Sequence, residues 1–240
     1  YSIRLFSPEF GLSKIETMIL WHEHLTKDGI VLAPVHPDRV GNKIHYSEAL
    51  KRHSVIREWN EGEPLFNLSM TGLPDDMPEK LGELLARMHE SLLILELPES
   101  CTVVKRGYDF YSNFYQEHLK SDFASEEEKD EFIRVFTDFL EALKELDKLD
   151  GQKAVIHGDL TLRNIIYCNG KYIPIDFKNI KFDYLLIDIV QLFVNELNED
   201  QQVQFWKGYE RIRKVPDKWK KLCPVIIKAV GMRLIRVEDV

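Results

Sequence analysis

The chain reads as an α+β protein, with short strands in its first quarter and around residues 155–177 and helices over most of the rest. Three observations predict this. Tyr1 to Phe6 alternates, with Ile3 and Leu5 on one side and Arg4 on the other, as a half-buried strand does. Asn169-Gly170 separates the apolar runs Ile165-Ile166-Tyr167 and Tyr172 to Phe177, and Asn-Gly between such runs is a strong hairpin signal. Leu81, Leu84, Leu85 and Met88 repeat at i, i+3, i+4 and i+7, which is one buried helix face.

The remaining elements follow in order. Ser13 to Leu25 predicts a helix with Ile15, Met18, Ile19 and Leu25 as its apolar face, and Glu16 lies in its first turn. Val31 to Val35, Lys43 to Tyr46 and Ser54 to Trp59 predict further strands, and Leu73 to Pro78 is a proline-marked loop. Ser125 followed by Glu128 is a capping-box pattern. It opens an amphipathic helix with Phe132, Val135, Phe136, Phe139, Leu143 and Leu146 inward. Val155-Ile156 predicts a strand end, and the strand from Tyr172 is expected to end at Asp176.

The chemistry concentrates in His157-Gly158-Asp159-Leu160-Thr161-Leu162-Arg163-Asn164 and in Ile175-Asp176-Phe177. A hairpin with a polar loop at one end and an acid at the other brings Asp159, Asn164 and Asp176 close together. Phosphoryl transfer from ATP needs metal-bound phosphates held in line with an acceptor and little covalent work from the protein. Mg²⁺ prefers oxygen ligands, often one or two carboxylates plus phosphates. The Asp176 carboxylate and the Asn164 amide suit that metal, and Asp159 suits a base that takes the proton of an incoming hydroxyl.

This spacing is the one protein kinases use, but His-Gly-Asp stands for His-Arg-Asp and Ile-Asp-Phe-Lys for Asp-Phe-Gly. In both departures the chain resembles the aminoglycoside phosphotransferase and choline kinase group, including its homoserine kinase branch. The resemblance implies a two-lobed protein-kinase-like fold. Residues 1–59 would form part of a small antiparallel-sheet lobe, and residues 60–240 a larger, mainly helical lobe. It also implies ATP and Mg²⁺ as cofactors and a small-molecule hydroxyl as acceptor. By the same resemblance Arg4 meets the phosphates with Glu16 as its ion-pair partner, and Arg57 to Gly62 is the hinge, with Glu58, Trp59 and Asn60 at the base of ATP. His157 and Asp188 would support the catalytic loop, with Asp188 at a helix start that follows Phe182-Asp183-Tyr184. In this group a glycine-rich loop covers the phosphates. The twelve glycines here are scattered and there is no initiator Met, so the first two strands are expected to precede Tyr1.

Composition narrows the alternatives. The net charge of −8 without a reader motif argues against nucleic acid. No apolar run approaches the roughly 18 residues of a membrane helix, and no signal peptide is visible. Cys101, Cys168 and Cys223 are odd in number with no pairing pattern, which fits a reducing cytosol, so the expectation is a cytoplasmic protein. Residues 122–150 carry eleven acids against four bases, and residues 207–240 ten bases against four acids. The two stretches are expected to pair with each other or to face solvent, or else to draw in a cationic acceptor and an anionic group. The aromatic segment Tyr108 to Tyr115 is expected to serve helix packing, with a stacking wall for an acceptor as the alternative. His22 and His24 flank Glu23 but face different sides of a helix, with no third ligand at metal spacing, and are expected on the surface.

Two other functions share these residues. One is a protein Ser/Thr kinase, against which stand the missing Ala-Pro-Glu segment and the short interval from Asp176 to Asp188. The other is a non-catalytic kinase-like binding protein, disfavoured because all three reactive positions are occupied.

Overall fold

The computed structural model describes residues 1–121, 123, 125–194 and 196–232. The first sheet is antiparallel and centres on β4 (Arg52–Arg57). It pairs with β1 (Ser2–Leu5) on one side, and with β2 (Val35–His36) and β3 (His45–Ser47) on the other. The strand expected over Val31 to Val35 is reduced to Val35–His36. Pro34 has no N–H to give a ladder, and its carbonyl instead accepts from Glu58 N at 3.0 Å.

The helix α1 (Leu12–Lys27) follows β1 and buries Ile15, Met18, Ile19, Trp21 and Leu25. Its Trp21 Nε1 donates to Val155 O at 3.0 Å, fixing this helix to the strand that leads into the His157–Asn164 segment. After β4, residues 58–62 bridge to β5 (Glu63–Pro64) and the short helix α2 (Leu65–Leu68). The long helix α3 (Met77–Leu93) then crosses under the sheets. A strand β6 (Val104–Lys105) and two helices follow, α4 (Tyr108–His118) and α5 (Glu126–Asp147).

Ser125 caps α5 by accepting from Glu128 N at 3.1 Å, and all six inward residues predicted for that helix are buried. The aromatic segment packs helix on helix, with Phe114 and Tyr115 stacked on Phe136 at ring-centroid distances of 5.5 and 5.6 Å. Acidic α5 meets basic α8 (Asp217–Gly231) through Lys218 and Glu145. Lys148, then Lys218, holds the half-buried Glu145 carboxyl down at about 2. Residues 233–240 of the basic stretch and Asp122 of the acidic one lie outside the described residues.

Two further three-stranded sheets flank the His157–Asn164 segment. One orders β6, β10 (Lys181–Tyr184) and β7 (Lys153–Ile156), and the other orders β5, β8 (Ile165–Cys168) and β9 (Lys171–Pro174). The β8–β9 hairpin turns at Asn169 (φ 49°) and Gly170 (φ 78°), the two positive φ values a two-residue type I′ turn requires. The β10 strand covers Phe182-Asp183-Tyr184 and runs directly into the helix α6 (Leu185–Phe193), whose first turn carries Asp188 as expected. Eight of its nine residues are buried, so α6 runs through the core. The helix α7 (Glu199–Ile212) crosses α3 where two glycines meet backbone. A Cβ at Gly82 would sit 2.1 Å from Phe205 O, and one at Gly208 would sit within bonding distance of Glu79 O. Among the described residues no helix is long and apolar enough to cross a membrane.

Candidate active site

Asp159 follows the end of β7, and its orientation is set by two amides. Asn164 Nδ2 donates to Asp159 O at 2.8 Å and to Asp159 Oδ2 at 3.2 Å, and Asn179 Nδ2 donates to the same Oδ2 at 3.2 Å. With its nitrogen engaged by Asp159, Asn164 keeps its Oδ1 out of both bonds as an acceptor. Asn164 ends a short 3₁₀ turn (Leu162–Asn164), and its carbonyl accepts from Ile175 N at 2.9 Å. That bond ties the loop to the residue before Asp176.

Asp176 does not close a β-strand. The β9 strand ends at Pro174, and Asp176 adopts the left-handed conformation (φ 62°, ψ 62°) ahead of a 3₁₀ turn at Phe177–Asn179. Such a backbone is costly for a residue other than glycine, by about 1–3 kcal/mol, and turns the side chain away from the strand direction. Arg4 Nη1 donates to Asp176 Oδ1 at 2.5 Å, and Lys178 Nζ lies 3.4 Å from Oδ2. Burial alone would raise the Asp176 carboxyl, but the charges of Arg4 and Lys178 outweigh it and hold it below the ordinary range.

The loop hangs from α6. Asp188, fully buried, accepts from His157 N at 2.9 Å through Oδ2 and from Gly158 N at 2.8 Å through Oδ1. Burial pushes this carboxyl up, and His89, His157 and the Gly158 N–H together bring it below its usual value. His89 is 3.7 Å from Asp188 Oδ2 and bonds Tyr209 Oη at 2.7 Å. Gly158 (φ 77°) has no room for a side chain, since a Cβ would lie 2.2 Å from Asn179 O. The buried ring of His157 accepts at Nδ1 from Asp159 N (3.3 Å) and therefore donates from Nε2 to Ile175 O (2.9 Å). One ring thus ties both halves of the site together.

Arg4, Glu58, Trp59 and Asn60 line one cleft of about 510 Å³, closed on its other walls by Ala33, Ile166, Ile175 and Phe177. Glu16 is not among them, which corrects the expected pairing with Arg4. On a helix, residues two apart point about 200° from each other. Met18 and His22 face Arg57 and Phe177, so Glu16 lines a different cleft with Leu20, Glu23 and Lys43. The histidine expectation also needs correction. His22 is 2% exposed, and burial, then the Arg57 charge, lowers it to about 4; His24 is half-buried against Ser91 O.

Sequence reading overlooked Asn179 and Gln191, and took Arg57 only as the first residue of the hinge. Gln191 Nε2 donates to Gly158 O at 3.0 Å, and its place three residues past Asp188 on one helix face was a usable signal. Arg57 alternates with buried Val55 on β4, so it shares the inward face. Among the described residues no three His, Cys, Asp or Glu side chains could hold a metal by themselves. A Mg²⁺ held largely by phosphates needs no such cluster, and the Asp176 carboxylate with the Asn164 amide oxygen is a donor set of the right hardness.

The family model for the phosphotransferase enzyme family matches residues 1–224. A search of curated protein sequences returns no significant match. Among solved structures, the chain is similar to a microcompartment-associated aminopropanol kinase, with a TM-score of 0.75 at 17% identity over 98% of this chain and 81% of that one. It is also similar to an amicoumacin kinase in complex with AMP-PNP and Ca²⁺ (TM-score 0.70, 16% identity, 99% and 75% of the two chains). A third is a choline/ethanolamine kinase family protein from Mesorhizobium loti (TM-score 0.65, 14% identity, 98% and 70%). These likenesses establish the α+β, protein-kinase-like fold.

Proposed function

The chain belongs to the phosphotransferase enzyme family, and from that premise we propose that it moves the γ-phosphoryl group of ATP, with Mg²⁺, to a hydroxyl of a small molecule. The observation that carries this reading is the hydrogen-bonded unit of Asp159, Asn164 and Asn179, joined through Ile175 to the Arg4-paired Asp176.

In this reading the acceptor hydroxyl gives its proton to Asp159 as the new O–P bond forms and the bond from the γ-phosphorus to the β-phosphate oxygen breaks, with ADP leaving. Asn164 and Asn179 hold the Asp159 carboxylate in one orientation for that transfer, a contribution of about 10²–10⁴ in rate. Bound Mg²⁺ would neutralise charge on the phosphates and align them. Asn164 and Asp176 would hold it, and Arg4 would swing part of its fork from Asp176 to the phosphates. Glu58, Trp59 and Asn60 would meet the base through backbone groups, and His157 and Asp188 would keep the loop in register. The family and the chemistry of an alcohol acceptor support an amino alcohol, homoserine-like or aminoglycoside-like substrate.

The test is transfer itself, followed by phosphorus NMR with MgATP and ethanolamine, homoserine or kanamycin. A phosphomonoester should form with one of these classes, and D159N should not form it. Labelled protein bands in a lysate, with no small-molecule product, would favour a protein acceptor instead.

A further inference from the structure

The inner wall of the nucleotide cleft carries a cation without a carboxylate of its own. Arg57 lies on β4 directly opposite Ser2 of β1, while Arg4 lies opposite Val55. In an antiparallel pair this register puts Arg4 and Arg57 on the same face as diagonal neighbours, about 7–8 Å apart at the backbone. Both line the same cleft. The Arg57 Nε is buried with no hydrogen-bond partner, and its Nη2 reaches only Met18 Sδ at 3.9 Å. Its guanidinium lies 5.6 Å from the centroid of the Phe177 ring.

Helix α1 supplies no acid to this position. It presents Met18 and His22, and His22 is buried with an unpartnered Nε2. The nearby anion is Asp176, already engaged by Arg4 and Lys178. Three cations therefore surround one carboxylate. A guanidinium taken from water without a counter-charge is costly, and placing it beside a second arginine adds repulsion. A dianionic ligand between the two arginines removes both costs.

We propose that Arg57 is a second phosphate-binding residue of the donor site, forming with Arg4 a two-arginine clamp for the polyphosphate of a nucleoside di- or triphosphate. This rests on the donor reading above and adds a residue to it. The forked, planar guanidinium matches phosphate oxygens in a way that lysine does not. The free Nε and the weakly engaged Nη2 are the donors such an anion would take up.

The test is calorimetric titration of wild type, R57M and R57K with ADP, with adenosine and with magnesium tripolyphosphate. Loss of a charged hydrogen-bond donor should weaken ADP and tripolyphosphate by about tenfold or more in R57M, with adenosine unchanged and R57K in between. Wild-type binding of ADP that R57M reproduces would overturn the clamp while leaving the donor reading intact. Wild type that binds neither nucleotide nor tripolyphosphate would overturn both. Should R57M fail to fold, the Arg57 Nε–Hε resonance of the wild type decides the matter. Tripolyphosphate should shift it, and an unmoved resonance at saturation would refute the clamp.

Discussion

Arg4 and Asp176 are 172 positions apart in sequence and meet at 2.5 Å, joining the first strand of the four-stranded sheet to the left-handed turn that follows the β8–β9 hairpin. The contact keeps a half-buried carboxylate ionised where burial alone would favour its neutral form. It also makes Asp176 sensitive to any ligand that draws Arg4 away.

Replacing Arg4 with methionine should therefore move a titration. The Asp176 carboxyl, now facing only Lys178 and the more distant Arg57, rises from below its ordinary value toward that of a buried acid. In the wild type the stability gained from this carboxylate is present above its unfolded value and lost as pH falls through its folded value. In R4M that component should vanish, and the acid limb of MgATP binding should shift to higher pH. An unchanged acid limb would show that Arg4 does not set the charge of Asp176.

Asp159→Asn should lower single-turnover transfer by about 10²–10⁴ while leaving MgATP affinity and the melting temperature close to wild type. The amide can still accept from Asn164 and Asn179, so the loop keeps its shape. A variant that also loses nucleotide affinity would point to a role for Asp159 in binding.

Gly158→Ala should destabilise the protein by at least about 1–3 kcal/mol, since it forces a side chain into a positive-φ position against backbone. Urea midpoints measure this directly, and a midpoint equal to wild type would contradict the packing described.

Asp183 supplies a pH effect of opposite sign to Asp176. It is fully buried, and burial raises its carboxyl to about 6 despite hydrogen bonds from Tyr111 Oη (2.5 Å) and Tyr184 N (2.8 Å). Between its ordinary value of 3.8 and about 6 the folded state binds more protons than the unfolded one. Stability from this group therefore falls as pH rises through that window. D183N removes the dependence, so its stability relative to wild type should be more favourable at pH 7 than at pH 4.5. An equal difference at the two pH values would refute the assignment.

What the sequence revealed was local. The Asn-Gly turn, the Ser125 cap and the α5 stripe are short-range patterns, and each stands in the structure as read. The His157–Asn164 and Ile175–Phe177 segments could be read because fixed spacing converts directly into a hairpin with acids at its ends. Where the reading failed, three-dimensional facts decided. Glu16 has the right chemistry for Arg4, but the phase of α1 turns it into another cleft. His22 looked polar and is buried, because the same phase packs it on Phe177. Asp176 was expected to end a strand, but β9 stops at Pro174 and a left-handed backbone carries the carboxylate out of the sheet. Asn179 could not be singled out, since its value lies in a bond to a residue 20 positions earlier.

The most direct measurement of the central claim is calorimetric binding of ATP with and without Mg²⁺ to the wild type and to Asp176→Ala. The account predicts wild-type binding that strengthens with Mg²⁺ and a variant in which the Mg²⁺ enhancement is lost. Binding that is indifferent to both the metal and Asp176, in folded protein, would contradict the assignment of this carboxylate to the donor site.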